Sequence, residues 1–144
     1  MSKVLFLNHP EMCYLQYMLY DGLCQNFGDK NVITYPPNLT YAGEVADNYI
    51  LDDGKKGFTA PNDSILFRKK IIKTGEEIKK EIDTFDLVFS STRTYARRAM
   101  DELRQYITQP LIIFDGEDGD DIKWDIINKY KPDYYLKREY LRGK

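Results

Sequence analysis

No run in this sequence approaches the roughly 18 apolar residues of a membrane-crossing helix. The first apolar run, Val4-Leu5-Phe6-Leu7, stops at Asn8-His9-Pro10 and is too short for a secretory leader. A membrane span is therefore not expected. There are only two cysteines, Cys13 and Cys24, and both fall in one expected helix. Eleven positions apart, they sit about 16 Å from each other along its axis, far beyond disulfide reach. With no second pair there is no basis for a zinc site, and a reducing, cytoplasmic setting is the expectation. The one histidine, His9, is the only candidate for Ser-His-Asp chemistry, and no Gly-x-Ser-x-Gly elbow accompanies it. Gly-x-Gly-x-x-Gly and phosphate-loop patterns are also missing, so dinucleotide and ATP readings lose their usual support and no cofactor is expected. Twenty-one Lys and Arg against 23 Asp and Glu give a formal charge of −2. There is no basic field to call for nucleic acid.

What is present is an alternation of short apolar runs and helical patterns. Val4–Leu7 reads as a first, central strand. From Met12 the apolar residues step by three and four, through Leu15, Leu19 and Leu23 to Phe27, which predicts a helix stopped by Gly28. Asn31 to Tyr35 reads as a second strand. A least regular stretch follows at about 38–63, with turn chemistry at Asp52-Asp53-Gly54-Lys55-Lys56-Gly57 that suits a small hairpin. Glu76 to Asp83 is a surface helix with Ile78 and Ile82 inward. Asp86-Leu87-Val88-Phe89 is a third strand, and Ala96, Met100, Leu103 and Ile107 mark the helix after it. Leu111 to Phe114 is a strand buried on both faces, followed by an acidic loop and a helix over Ile122 to Tyr130. Asp133 to Leu136 is the last strand. Strands alternating with helices predict right-handed crossovers and a parallel sheet. The expected fold is a single α/β domain over residues 1–144, Rossmann-like or flavodoxin-like in three layers, with about five strands. Twelve tyrosines suit half-buried rims and contact surfaces as well as core filling. Nothing apolar follows the last strand to cover its outer face, and a parallel sheet wants both faces covered. A polar edge, a second copy of the chain or a further C-terminal portion would each answer that need.

In an all-parallel sheet the residues after every strand share one rim, and ligands of open α/β sheets bind there. The rim candidates are Asn8, His9 and Glu11; Ser90, Ser91, Thr92 and Arg93; Asp115, Glu117 and Asp118; and Lys137 and Arg138. Donors, hydroxyls, carboxylates and cations together are what a polar ligand requires. The Ser90-Ser91-Thr92-Arg93 stretch precedes a helix, whose first N–H groups suit a phosphate or a sugar hydroxyl; Ser91 or Thr92 would equally serve as a cap. His9 has two readings, a general base or a turn residue beside Pro10. The loop Asp115-Gly116-Glu117-Asp118-Gly119-Asp120-Asp121 lacks the spacing of the twelve-residue calcium loop. Hydrogen bonding to a ligand, or pairing of Asp115 with a base such as Lys137, is favoured over metal, with Asp120 or Asp121 capping the following helix.

Three patches carry a family resemblance. They are Val4-Leu5-Phe6-Leu7 with the helix through Tyr20-Asp21-Gly22-Leu23, Phe85-Asp86-Leu87-Val88-Phe89-Ser90-Ser91, and Phe114-Asp115-Gly116-Glu117-Asp118 running to Tyr135-Leu136-Lys137-Arg138-Glu139. Together they resemble the N-terminal Rossmann-like half of bacterial glycosyltransferase-like proteins of the spore-maturation type, over about two-thirds of the chain. The resemblance implies an acceptor-side lobe, with the nucleotide-sugar donor mostly on a second lobe; taken with the polar rim, it gives the expectation of a sugar or nucleotide-sugar ligand at the edge of the sheet. It implies that the donor lobe lies outside these residues, so that the chain binds rather than catalyses alone. It transfers no catalytic residue. Two other readings stand beside it: a non-catalytic interaction module, dimeric or bound to a partner through the first helix or the last strand, and a small enzyme acting on a nucleoside or sugar through Asp115 or Glu117.

Overall fold

Runs of apolar residues without a polar alternate can form only strands covered on both faces. Val4–Leu7 (β1) is such a run, with all four side chains fully buried. The computed structural model describes residues 2–8, 14–36, 73–117, 119 and 121–138. The irregular stretch expected at about 38–63 with its hairpin, and His9, Glu11, Cys13, Asp118 and Asp120, lie outside the described residues. Within them the chain runs β1, α1 (Tyr14–Phe27), β2 (Val32–Tyr35), α2 (Gly75–Glu81), β3 (Leu87–Ser91), α3 (Thr94–Leu103), β4 (Leu111–Asp115), α4 (Trp124–Tyr130) and β5 (Tyr134–Lys137). The five strands form one sheet in the order β2-β1-β3-β4-β5. Every adjacent pair is parallel. This is the flavodoxin-like doubly wound order, whose direction of winding reverses between β1 and β3.

Two apolar layers hold the sheet. On one face α1 packs Tyr20, Leu23 and Cys24 against Val4, Phe6 and Val32, with Leu19, Phe27, Leu87 and Phe89 at the margin. On the other, Ile78 of α2, Ala99, Met100 and Leu103 of α3, and Ile126 and Tyr130 of α4 cover Leu5, Leu7, Ile33, Val88, Leu111 and Ile113. The three-and-four apolar spacing coincides only in part with the buried row of α1, sharing Leu23 and Phe27 with it. Gln16, Tyr20, Leu23 and Cys24 are buried, whereas Leu15 and Leu19 are only half-buried. Positions 16, 20, 23, 24 and 27 form a regular helical stripe, and the leucine row lies one step around the helix, toward β4 and β5. Gly28 ends α1 as expected, at φ 85°, with its N–H donated to Cys24 O at 2.8 Å.

Other boundaries follow local chemistry. Thr74 closes α2 with a capping box: Thr74 Oγ1 accepts from Glu77 N at 3.3 Å and Thr74 N donates to Glu77 Oε2 at 2.8 Å. The expected Glu76–Asp83 helix is therefore α2 plus a short 3-10 turn, Ile82–Thr84. Arg104 ties the ends of α3 and α4 together, donating from Nε to Tyr130 O at 2.7 Å and from Nη1 to Ile107 O at 3.0 Å. The last strand behaves as its composition suggests. Tyr135 and Lys137 turn to the layer of α3 and α4, and Tyr134 and Leu136 stand 62% and 51% exposed on the α1 face. Among the described residues nothing lies beside α1 over β4 and β5. An apolar groove of about 230 Å³ remains there, lined by Leu19, Phe89, Phe114 and Leu136, with Lys137 and Arg138 at its end. No helix of the described residues is long and apolar enough to cross a membrane.

Candidate functional site

Common strand direction brings the expected rim together: Asn8 follows β1, Ser91 ends β3, Asp115 ends β4 and Lys137 ends β5, all at the same edge. Ser90 and Ser91 are the last two residues of β3 rather than the start of a loop. They point to opposite faces, as strand alternation demands. Ser91 turns toward α1, where its Oγ accepts from Gln16 Nε2. Ser90 turns with Val88 toward the α3 layer, and its buried Oγ has no hydrogen-bond partner among the described residues. Asn8 anchors the β1 end, its N–H donated to Tyr35 O at 2.7 Å. Four polar side chains, those of Asn8 (0%), Gln16 (0%), Ser91 (1%) and Thr92 (2%), are thus buried at the carboxyl ends of β1 and β3. Positions so deep are ordinarily apolar.

The capping roles expected of the hydroxyls are not taken. The residue before α3 is Arg93, in extended conformation and with no side-chain cap. Ser91 Oγ accepts the Arg93 N–H at 3.4 Å from outside the helix. The first N–H groups of α3 consequently lack a side-chain cap, beside the exposed Arg93. Asp121 does not cap α4 either; Lys123 stands at that position, without a cap bond.

Asp115 is the centre of a second, self-contained cluster. It is fully buried, and each carboxylate oxygen has two donors. Oδ1 accepts from Glu117 N at 3.0 Å and lies 3.3 Å from Thr92 Oγ1. Oδ2 accepts from Tyr135 Oη at 2.6 Å and from Lys137 Nζ at 3.1 Å. Thr92 Oγ1 is also 3.3 Å from Glu117 Oε1, so its single proton is shared between two carboxylates. Lys137, whose side chain is 6% exposed, adds a bond to Glu117 O at 3.0 Å. Lys123 Nζ lies 3.4 Å from Glu117 Oε2. Burial pushes the Asp115 pKa up, but the bonds from Tyr135, Glu117 N–H and Lys137 outweigh it and hold the carboxyl below its ordinary value. Burial and the Asp115 carboxylate together push the Tyr135 hydroxyl well above its ordinary value. The expected pairing of Asp115 with Lys137 is present. A carboxylate with every lone pair engaged and its pKa lowered makes a clamp between β4 and β5; a general base needs a pKa near the working pH. Among the described residues no group of three His, Cys, Asp or Glu could hold a metal ion.

Gly116 joins the two clusters. A Cβ there would meet Leu15 Cδ1 at 2.9 Å and the Phe114 ring at 3.0 Å, so α1 and the loop after β4 lie in close contact, and a larger residue would have to move the Leu15 and Phe114 side chains. Gln16 and Tyr135 were not on the expected list of rim residues. Tyr135 sits in an apolar strand, and Gln16 is the polar member of a buried helical row beside a largely apolar leucine row that dominates the pattern. A third polar group was missed at the β2 end. Tyr35 Oη donates to Glu102 Oε2 at 2.7 Å, and Lys79 bridges Glu76 at 2.8 Å and Glu102 at 3.2 Å. Burial and then Glu102 raise the Tyr35 pKa to about 12. Arg93 and Arg138 are exposed at the rim, and Arg138 N donates to Asp115 O at 2.9 Å. No protein-family model matches this sequence, and neither a curated protein nor a solved structure does so.

Proposed function

We propose that the chain binds a sugar or nucleotide-like ligand at the carboxyl edge of its sheet, and serves as the acceptor-side lobe of a glycosyltransferase-like protein. The observation that carries this reading is the burial of Asn8, Gln16, Ser91 and Thr92 where the winding reverses between β1 and β3. That crevice is where doubly wound sheets take their ligands. The uncapped first turn of α3 and Arg93 beside it suit the phosphates of a nucleotide sugar. The sequence resemblance supplies the glycosyltransferase-like part. Asp115 serves in this reading by holding Thr92 and the loop through Glu117 in place. It does not exchange protons with substrate, which lowers the standing of the small-enzyme alternative.

Calorimetry with uridine and guanosine diphosphates and their sugars tests the proposal. Saturable heat is expected for at least one, weakened about tenfold by Arg93→Ala, the loss of one charge-assisted hydrogen bond. No heat with any of them contradicts it.

The exposed Tyr134 and Leu136 and the groove beside them favour a second reading, in which the α1 face of β5 contacts a second copy or the donor lobe. Light scattering across a concentration series checks the homodimer: self-association is expected, and Leu136→Lys abolishes it. A monomer at every concentration removes the second copy as the partner.

A further inference from the structure

At the β2 end of the same rim, a pocket of about 130 Å³ is lined by Tyr35, Pro36, Tyr95, Arg98, Ala99 and Glu102. It belongs to neither the switch-point cluster nor the Asp115 clamp. Its walls are two tyrosine rings, a proline and an alanine; its polar groups are one guanidinium and one carboxylate. Arg98 lies over the Tyr95 ring, 4.9 Å from its centroid, and Tyr95 keeps 36% of its surface exposed.

Glu102 is held but not used up. Tyr35 Oη occupies one direction on Oε2 and Lys79 one on Oε1, and a carboxylate has about four acceptor directions. Among the described residues the charges also balance: Arg98 and Lys79 stand against Glu102 and Glu76. A charged ligand would upset that balance, whereas a neutral one would not. Aromatic and ring-carbon walls with an adjacent donor fork and acceptor fit a ligand that is apolar on its ring faces and hydroxylated around its rim.

We propose that this pocket is a subsite for one uncharged sugar ring, with hydroxyls donating to Glu102 and accepting from Arg98, and ring carbons against Tyr95 and Pro36. The subsite extends the rim reading above, since it would hold the acceptor sugar while the switch-point cluster holds the nucleotide-like part. Among the described residues it takes its lining from β2, the Pro36 that follows it, and α3.

Amide-resolved NMR titration with glucose, N-acetylglucosamine and maltose tests it, with uridine diphosphate titrated into a parallel sample. At least one sugar should give saturable shifts at Tyr35, Tyr95, Arg98 and Glu102. Tyr95→Ala, a change at a partly exposed position, should weaken that sugar at least tenfold, and Glu102→Gln should weaken it as well. Saturation by none of the three sugars, or unchanged affinity in Tyr95→Ala, overturns the subsite. Diphosphate shifts at Asn8, Ser91 and Thr92 with the sugars silent would retire the subsite alone. Sugar shifts with the diphosphate silent would retire the switch-point reading alone.

Discussion

Asp115 shows how one buried carboxylate can tie several segments of a sheet's edge together. Its four donors come from β5, from the loop after β4 and from the residue that follows β3, so three segments of the rim depend on its charge. Asp115→Asn leaves Lys137 buried without its counter-charge, which costs on the order of 3 kcal/mol at neutral pH. Because the folded pKa lies below the unfolded value, the wild-type clamp is fully present above the ordinary carboxylate range and is lost as pH falls through the folded pKa. Urea unfolding at pH 7 and pH 3 is therefore expected to show a large gap between wild type and Asp115→Asn that narrows in acid. The Tyr35–Glu102 bond has the opposite sign. Its contribution is complete below the unfolded pKa of 10.0 and disappears as pH rises toward about 12. Tyr35→Phe should cost about 1 kcal/mol at neutral pH, and its difference from wild type should shrink over that alkaline window.

At the scale of elements, ends are set by chemistry that a hydrophobic pattern does not register. α2 begins at a Thr-Gly-Glu-Glu box, and the reciprocal bonds between Thr74 and Glu77 explain why it starts at Gly75. Thr74→Ala is expected to lower the unfolding free energy by about 1 kcal/mol, read from the denaturation midpoint at constant slope. That box is legible as letters; Gly75 attracts notice first as a break and so conceals it. β3 extends through Ser90 and Ser91 because backbone pairing to Ile113 and Phe114 continues after the apolar run has ended, and serine has no strand signature of its own. α1 is legible as a helix from its three-and-four spacing. Its inner row is not, because two adjacent rows are both largely apolar and the sheet buries the one carrying Gln16. β1, β4 and the stop at Gly28 could be read directly, since continuous apolar runs and a glycine after a periodic segment have few alternative explanations.

For the whole molecule, the alternation of strands and helices was sufficient to predict a parallel sheet, and the parallel sheet was sufficient to predict that Asn8, Ser90, Asp115 and Lys137 share an edge. Strand order was not readable, because it depends on which faces the connections cross. The winding reverses between β1 and β3, where Asn8, Gln16, Ser91 and Thr92 are buried, and Thr92 links that point to the cluster around Asp115. In the letters alone the acidic loop borders the rim, and hydrogen bonding or pairing of Asp115 with a base such as Lys137 is favoured over metal. The structure places its leading carboxylate in a saturated clamp and leaves the less conspicuous serine stretch at the crevice. The apolar face of β5 follows the same logic: among the described residues α1 alone covers that side of the sheet, and Tyr134 and Leu136 are exposed.

The central claim is that the β1–β3 crevice takes a nucleotide-like ligand. Amide shift mapping during titration with uridine diphosphate tests it most directly. The account predicts saturable shifts concentrated at Asn8, Gln16, Ser91, Thr92 and Arg93, with little change along β5. Shifts confined to other parts of the molecule, or none up to millimolar ligand, would contradict it.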